Sequence, residues 1–420
     1  MAAPEVPAHI DVIIAGAGMA GATLALALAH GGLRPVLIDP LPFDDQVQPT
    51  FDGRSSAIAY SSFRQWRVLG VSEALEPNAQ RIEQILVTDA TAPGASARAR
   101  VGAFLRFEAA EIGETSGGEP LGYLIENRHS RAALAGAAIK ARIPVLAPAK
   151  VASVVFEGAA ASVTLEDGRI LTAPLLIGAE GRGSVVRKAA GIGEVAWPYK
   201  QSGVVATVQL EHPHYGVAYE YFLPSGPFAV LPLTENRASL VWTETTANAA
   251  ALEAASDAMF HAHLARRFGE FLGRVERIGP SFTYPLSLSL AERMTAPRTA
   301  LLGDAAHGIH PIAGQGLNLG LKGAAALAQV LVEASRLGED IGNLAVLERY
   351  ARWRCFDTVA LAAATDLFIR LFANDDPILR LARGAGMAVV NRVGPARRFF
   401  MQDAGGATGD LPRLLRGEPL

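Results

Sequence analysis

Apolar residues fall in short unbroken runs near the start of the chain and in alternation through its middle. Residues 9–39 hold two such runs, HIDVIIAG and RPVLIDP. Between them Met19 to His30 is a stretch of small residues and leucines, stopped by Gly31-Gly32. Unbroken Val/Ile runs read as strands buried on both faces, and a glycine pair ends a helix. Strand, helix, strand in about 30 residues predicts a right-handed crossover in a parallel sheet.

Further along, residues 80–107 predict strands around a loop at Ala92 to Ala97. GYLIENRHSRAALAGAAIKA predicts a helix ending near Ile143-Pro144. The stretch 144–178 predicts short strands, with Asp167-Gly168 as a hairpin turn. Strand-like alternation fills 201–245, and an amphipathic helix follows around 251–272. TALLGDAAH reads as another buried strand. Helices continue from about Gly316, with breaks at Gly338, Asp376-Pro377 and Gly394-Pro395. Two kinds of sequence texture therefore interleave, which predicts an α/β protein with domains discontinuous in sequence.

Composition narrows the function classes. With 420 residues, half of them hydrophobic and 19% charged, the chain is long enough for two or three packed cores. A net charge of -3 supplies no global basic field for nucleic acid. The single cysteine, Cys355, excludes an intramolecular disulfide framework and Cys-rich metal sites. Val12 to Leu33 carries no Asp, Glu, Lys or Arg and mimics a membrane span. Its glycines would each cost a helix interior about 1 kcal/mol, and MAAPEVPAHID lacks the positive n-region of a signal peptide. The chain reads as soluble.

Three motifs carry chemistry. In AGAGMAG, Gly16, Gly18 and Gly21 form G-x-G-x-x-G between the first strand and its helix. Gly16 permits the tight turn, Gly18 a close approach of backbone to pyrophosphate, and Gly21 close helix–strand packing. The helix start offers N–H groups and a positive dipole end to phosphates. Asp39, 18 residues beyond Gly21 at the end of the second strand, suits a ribose hydroxyl. The second motif is LLGDAAHGIHPIAGQGLNLG, residues 301–320. There a buried strand delivers Asp304 to a loop, and Gly314 and Gly316 open a helix. Glycine at both positions lets main chain lie flat on a planar ligand. N–H groups at that helix start can stabilise charge developing on the edge of a flavin. The third motif, LIGAEGRGSVVR, sets Glu180, Arg182, Ser184 and Arg187 on a glycine-rich loop. Arginines beside such a loop suit phosphates.

Together these residue sets resemble the flavin-dependent aromatic monooxygenases of the p-hydroxybenzoate hydroxylase type. DGRSSAIAYSSFRQWRVLGV, LGYLIENRHSRAAL and FFMQDAGGATGDLPRLLRGEPL resemble their ubiquinone-biosynthesis hydroxylase branch. The resemblance implies a Rossmann-like FAD-binding domain made of residues 1–78, 100–186 and 284–340. It also implies an inserted β-sheet substrate domain of 79–99 and 187–283, and a helical region of 341–420. FAD is implied as bound cofactor, with NAD(P)H as transient co-substrate and O2 as oxidant. Carried over residue by residue, Arg54 of D-x-R contacts the flavin side of the cofactor. Asp304, Pro311, Gly314, Gly316, Leu317 and Asn318 bind FAD through the second loop. The implied substrate is a lipophilic, polyprenylated phenol of ubiquinone biosynthesis. The resemblance leaves open a quinone-biosynthesis protein complex and a peripheral seat on the inner face of the membrane for a cytoplasmic protein.

The sequence departs from the family at two places. Glu180-Gly181 stands where Asp-Gly is usual; the resemblance still implies that Glu180 binds FAD, while the longer side chain puts its contacts with NAD(P)H in doubt. Lys322-Gly323 stands where Arg-Asp is common. No metal site or acid–base triad is read from the sequence, and no catalytic side chain is assigned. His307 and His310 flank the proposed flavin loop; His212, His214, His261 and His263 read as ordinary. The aromatics Tyr219, Tyr221, Phe222, Phe228 and Trp242 belong to the sheet expected over the flavin, where they serve either a phenolic ring or the core. Residues 361–400 mix apolar stretches with Arg370, Arg380, Arg383, Arg392, Arg397 and Arg398. That pattern suits a membrane interface or helix packing. A related flavoenzyme, such as a prenyl reductase, and a non-catalytic flavin-binding subunit are the competing readings.

Overall fold

The computed structural model describes residues 7–48, 52–89, 104–112, 117–223, 225–269, 271–310, 314–372, 397, 401–402 and 405–420. The strand Val12–Ala15 lies fully buried at the centre of a six-stranded sheet. It pairs in parallel with Pro35–Ile38 on one side and Leu175–Gly178 on the other. Leu175–Gly178 in turn pairs in parallel with Thr299–Leu301. Each large aliphatic side chain buried in these strands contributes about 1.5–3 kcal/mol, which is why the runs contain no polar residue.

Two helices cover one face of this sheet and pack on each other through small residues. Met19–His30 is alanine- and leucine-rich, and Gln315–Arg336 runs 22 residues before stopping at Gly338, whose φ is +73°. A Cβ on Gly31 would sit 2.2 Å from Val332, so glycine sets their separation. The other face carries an antiparallel sheet of Val151–Glu157, Ala160–Leu165 and Ile170–Ala173.

An eight-stranded sheet forms the second part of the molecule. In spatial order its strands are His307–Gly308, Val275–Ala291, Glu194–Leu210, Arg237–Thr245, Gly226–Leu233, Val217–Leu223, Gln84–Asp89 and Phe104–Glu108. It draws Phe104–Glu108 and His307–Gly308 out of the ranges that the sequence division gives to the nucleotide-binding unit. Its outer face is an aromatic core under the helices Thr246–Glu253 and Asp257–Phe268. Phe228 meets Trp242 edge to face at 5.4 Å, and Trp242 meets Phe260 at 6.0 Å. Tyr219, Tyr221, Phe228 and Trp242 are thus core-side residues; of the five aromatics singled out in sequence, only Phe222 lies on the opposite face.

Two expectations are corrected. Gly122–Glu126 is a strand, paired with Ser55–Ala59 and Gln80–Ile82, and only Asn127–Lys140 is helical. The helix expected over 251–272 is two helices, because Ser256 caps the second one by accepting from Met259 N.

Candidate nucleotide and substrate site

The carboxyl ends of four parallel strands come into line. Gly16 N donates to Ile38 O at 2.7 Å, Ala179 N to Ala15 O at 2.7 Å and Leu302 N to Gly178 O at 2.8 Å. Loops leaving such strand ends enclose a crevice. Here they deliver Gly16 to Gly21, Asp39, Glu180 and Asp304 to one edge of the sheet.

The glycines of the first turn have separable roles. Gly16 has φ +102°, and a Cβ on it would lie 2.3 Å from Ala179 O. A Cβ on Gly21 would lie 2.0 Å from Gly16 O. A Cβ on Gly18 meets nothing within 4 Å. Gly16 and Gly21 are therefore required by the protein itself, whereas Gly18 faces open space at the uncapped start of its helix. An extended phosphate chain fits that space. Asp39 braces the turn: one carboxylate oxygen accepts from Ala17 N at 2.8 Å, the other from Leu41 N at 2.9 Å and Gln46 Nε2 at 3.1 Å. Three of its roughly four acceptor positions are filled, and burial raises its pKa despite them.

The second loop meets the first at Ala20. A Cβ built on Gly303 or on Gly320 would lie 3.5 Å from the Ala20 side chain. The side chain of Asp304 is half exposed, 3.5 Å from Arg182 Nε. Arg182 is held by Ser287 Oγ at 2.6 Å. Gly314, in the left-handed region at φ +63°, starts the Gln315–Arg336 helix, again without a side-chain cap. Asn318 fastens this helix to the Ser55–Ala59 strand: its Oδ1 accepts from Ala59 N at 2.9 Å and its Nδ2 donates to Ala57 O at 2.7 Å. Gly316 has space above it, with only Ile309 at 3.6 Å, and Leu317 packs partly buried on the main core. Pro311 lies outside the described residues.

Arg54 joins the same site through a network that sequence reasoning did not find. Its Nε and Nη2 donate to the two oxygens of Asp52, both at 2.8 Å, and its guanidinium lies 4.8 Å from the centre of the Tyr284 ring. Asp52 is buried and also accepts from Arg131 at 2.6 Å and Asn127 at 3.3 Å. Burial alone would raise its pKa, but Arg54 and Arg131 hold it well below the carboxylate range. Burial likewise opposes the charge on Arg54, yet Asp52, Tyr284 and Asp304 together raise its pKa. The D-G-R spelling was the available signal for Asp52; nothing local announces Arg131 or Tyr284.

The third motif has a different task from the one its spacing suggests. Glu180 accepts from Val186 N at 2.8 Å and Ser184 Oγ at 2.9 Å, so its carboxylate caps the short Val185–Ala189 helix. Its main chain, beside Gly16, walls the first turn. Arg187 is buried and donates to Ala305 O and Arg182 O, which leaves it a structural tie rather than a phosphate ligand. His307 and His310 are both 1% exposed, and burial lowers each pKa to about 4. His307 Nδ1 and both ring nitrogens of His310 have no hydrogen-bond partner among the described residues. His214 accepts from Gly216 N and contacts Leu233 O, which shapes its loop, and His261 accepts from Arg277 N, which ties its helix to the Val275–Ala291 strand.

Comparisons with known proteins identify the family and the fold. The family model described as FAD binding domain matches residues 9–354. The chain is 42% identical to ubiquinone hydroxylase UbiL of Rhodospirillum rubrum, over 98% of this chain and 93% of that protein. It is 35% identical to 3-demethoxyubiquinol 3-hydroxylase of Escherichia coli, over 94% and 98% respectively. The fold matches the crystal structure of p-nitrophenol 4-monooxygenase PnpA from Pseudomonas putida DLL-E4. That match has a TM-score of 0.78 at 18% identity and covers 96% of this chain and 98% of that one.

Proposed function

Because the chain belongs to the FAD-binding family that includes the ubiquinone hydroxylases, we propose that it hydroxylates the aromatic ring of a polyprenylated phenol in ubiquinone biosynthesis. It is an FAD-dependent monooxygenase with NAD(P)H and O2 as co-substrates. The observation that carries the cofactor reading is the meeting of two uncapped helix starts at one edge, with Gly18 open and Ala20 touching the second loop. FAD, when bound, accepts hydride from NAD(P)H and passes the electrons to O2.

The protein's own groups hold and orient. Gly18 and the N–H groups that follow it receive the pyrophosphate, and Asp39 retains one acceptor position for a ribose hydroxyl. Asp304 receives hydroxyls of the sugar-alcohol chain, while Arg54, fixed by Asp52, flanks the flavin. Gly314 and Gly316 bring main chain to the flavin's pyrimidine edge, Asn318 locks that helix in place, and Pro311 and Leu317 complete the loop. Glu180 contributes main chain only. The inner face of the eight-stranded sheet closes the site and excludes water.

The test is direct. Purified protein should be yellow and should oxidise NADH or NADPH faster when 2-farnesylphenol is added, yielding one hydroxylated product per nucleotide oxidised. A colourless protein that FAD does not reconstitute overturns the reading. A yellow protein whose NAD(P)H oxidation no phenol accelerates favours a flavin-binding subunit instead.

A polyprenylated phenol resides in lipid, and we also propose that the enzyme works at the membrane surface. No described helix is long and apolar enough to cross a membrane. The outward stripe of the Leu344–Phe372 helix supports peripheral contact: Phe356, Val359 and Leu367 are 79%, 54% and 63% exposed. Of the arginines noted beyond it, Arg397 is paired with Glu111. The side chain of Arg370 is not described, and Arg380, Arg383, Arg392 and Arg398 lie outside the described residues. Co-sedimentation with phospholipid vesicles that Phe356→Glu weakens would support this contact; equal sedimentation of both proteins would refute it.

A further inference from the structure

Among its described side chains, the inner face of the eight-stranded sheet carries a partly buried acid without an ion-pair partner, Glu220, that the nucleotide site does not use. Counting across the strands in register, Phe282 pairs with Val205, Val205 with Val241, Val241 with Ala229, and Ala229 with Glu220. Successive residues of a strand face opposite sides of a sheet. The neighbours Val204, Leu240, Val230 and Tyr221 all belong to the aromatic core of the outer face. The row from Phe282 to Glu220 therefore lies on the face turned toward the nucleotide site. Its near end is fixed there: a Cβ on Gly53 would touch the Phe282 ring at 2.3 Å, and Gly53 precedes Arg54. Four strand spacings of about 4.8 Å put Glu220 roughly 19 Å along this floor.

Apart from its far end the row is apolar. Among the described side chains, those flanking Glu220 on this face are Ile85, Val87, Ala218, Phe222, Pro227, Ala229 and Leu231, none of them charged. Among the described residues Glu220 has no hydrogen-bond or ion-pair partner, and loss of solvation raises its pKa to about 7. It nevertheless keeps accessible surface. An unpaired carboxyl with a partly open tip, set in an apolar wall, is costly unless something outside the fold pairs with it.

We propose that Glu220 is a catalytic residue of the ring hydroxylation, receiving the hydroxyl group of the phenol and taking its proton as oxygen enters the ring. The inference rests on the ring-hydroxylase reading above. The apolar row then supports the flat ring between Glu220 and the flavin. As the ring carbon bonds to one atom of the two-electron-reduced O2 and the O–O bond breaks, the phenol proton passes to a Glu220 oxygen and the phenol oxygen becomes a ring ketone. The hydrogen on the newly substituted carbon leaves as a proton that goes toward the water formed from the second oxygen atom, which restores aromaticity, and Glu220 returns its proton to the ketone oxygen. One atom of O2 ends in the ring and the other in water, with the two electrons drawn from NAD(P)H. An acid titrating near neutrality suits a base that must release its proton again.

The experiment compares wild-type holoenzyme with Glu220→Gln and Glu220→Leu, each checked for full FAD content as a measure of folding. With 2-farnesylphenol, Glu220→Gln should lower kcat about 100-fold and remove the limb near pH 7 from the rate profile. In equilibrium binding, read from the flavin absorption band, wild type should hold 2-farnesylphenol about tenfold tighter than its methyl ether. Glu220→Leu should bind the two equally. Wild-type rates with an unchanged pH limb in Glu220→Gln, or an undiminished preference for the phenol in Glu220→Leu, overturn the proposal. A wild type that forms no hydroxylated product refutes the ring-hydroxylase reading, and the binding comparison then judges Glu220 separately.

Discussion

In the turn from Gly16 to Gly21 nearly every neighbour is protein. Gly16 and Gly21 press against main chain, and Asp39 fills most of its acceptor positions with local donors. The stretch from Asp304 to His310 is built differently. Its acid is half exposed with one long ion-pair contact among the described residues, and His307 Nδ1 and both ring nitrogens of His310 have no hydrogen-bond partner there. The first turn holds its own shape and leaves open only the space over Gly18, its uncapped helix start and one acceptor position of Asp39, whereas the second holds polar groups that the described protein leaves unmet. On the proposed reading, affinity for FAD would be divided between a rigid cradle and a loop with donors and acceptors to spare.

Substitutions can break this contrast, beginning with the glycines. Gly21→Ala forces a methyl to 2.0 Å from a carbonyl oxygen and should cost about 4 kcal/mol or more, the range of severe core defects. Thermal melting of the apoprotein reads it. Gly18→Val, with nothing within 4 Å, should melt like wild type and yet purify without FAD. Normal flavin content in Gly18→Val would mean that the open space is not the pyrophosphate path.

The second loop gives smaller, graded effects. Asp304→Ala should raise the FAD dissociation constant about 10–100-fold, the worth of a charged acceptor, while leaving the apoprotein melt unchanged. An unaltered dissociation constant would remove Asp304 from the cofactor's contacts.

The imidazoles supply the finest test. His307 and His310 titrate near 4 when folded and at 6.5 otherwise. Between these values the unfolded chain binds protons that the folded one refuses. Stability should therefore be flat above pH 6.5 on their account and fall below it, by about 1.4 kcal/mol per pH unit for each ring. Urea unfolding at pH 7, 6 and 5 measures the slope. His310→Leu should shallow it; an identical slope would show that His310 is not held neutral.

Much of this site was legible because it is written in local patterns. The strand–glycine–helix signature names Gly16, Gly18 and Gly21 within six residues, and the glycines at 314 and 316 announce a helix start. What escaped reading depends on distant partners. Tyr284 reaches Asp52 across 232 positions, and no periodicity encodes that meeting. That Glu180 also accepts from Val186 N depends on loop geometry. Gly122–Glu126 merged with the helix after it because no turn residue divides them. Lys322, outside the family pattern, is occupied by Asp357 at 2.8 Å. Alternation revealed that 201–245 is sheet, but it did not reveal which face met the nucleotide unit. For that reason the aromatics drew attention and Glu220 did not.

The sheet that opens with Val12–Ala15 takes one of its parallel strands from Thr299–Leu301. Asn318 then clasps Ala59 across 259 positions. A ribosome must therefore synthesise about three quarters of the polypeptide before the nascent chain can seal that layer. Until then the opening strands can pair only with those up to Gly178, and the edge awaiting Thr299–Leu301 is exposed to chaperones and to aggregation.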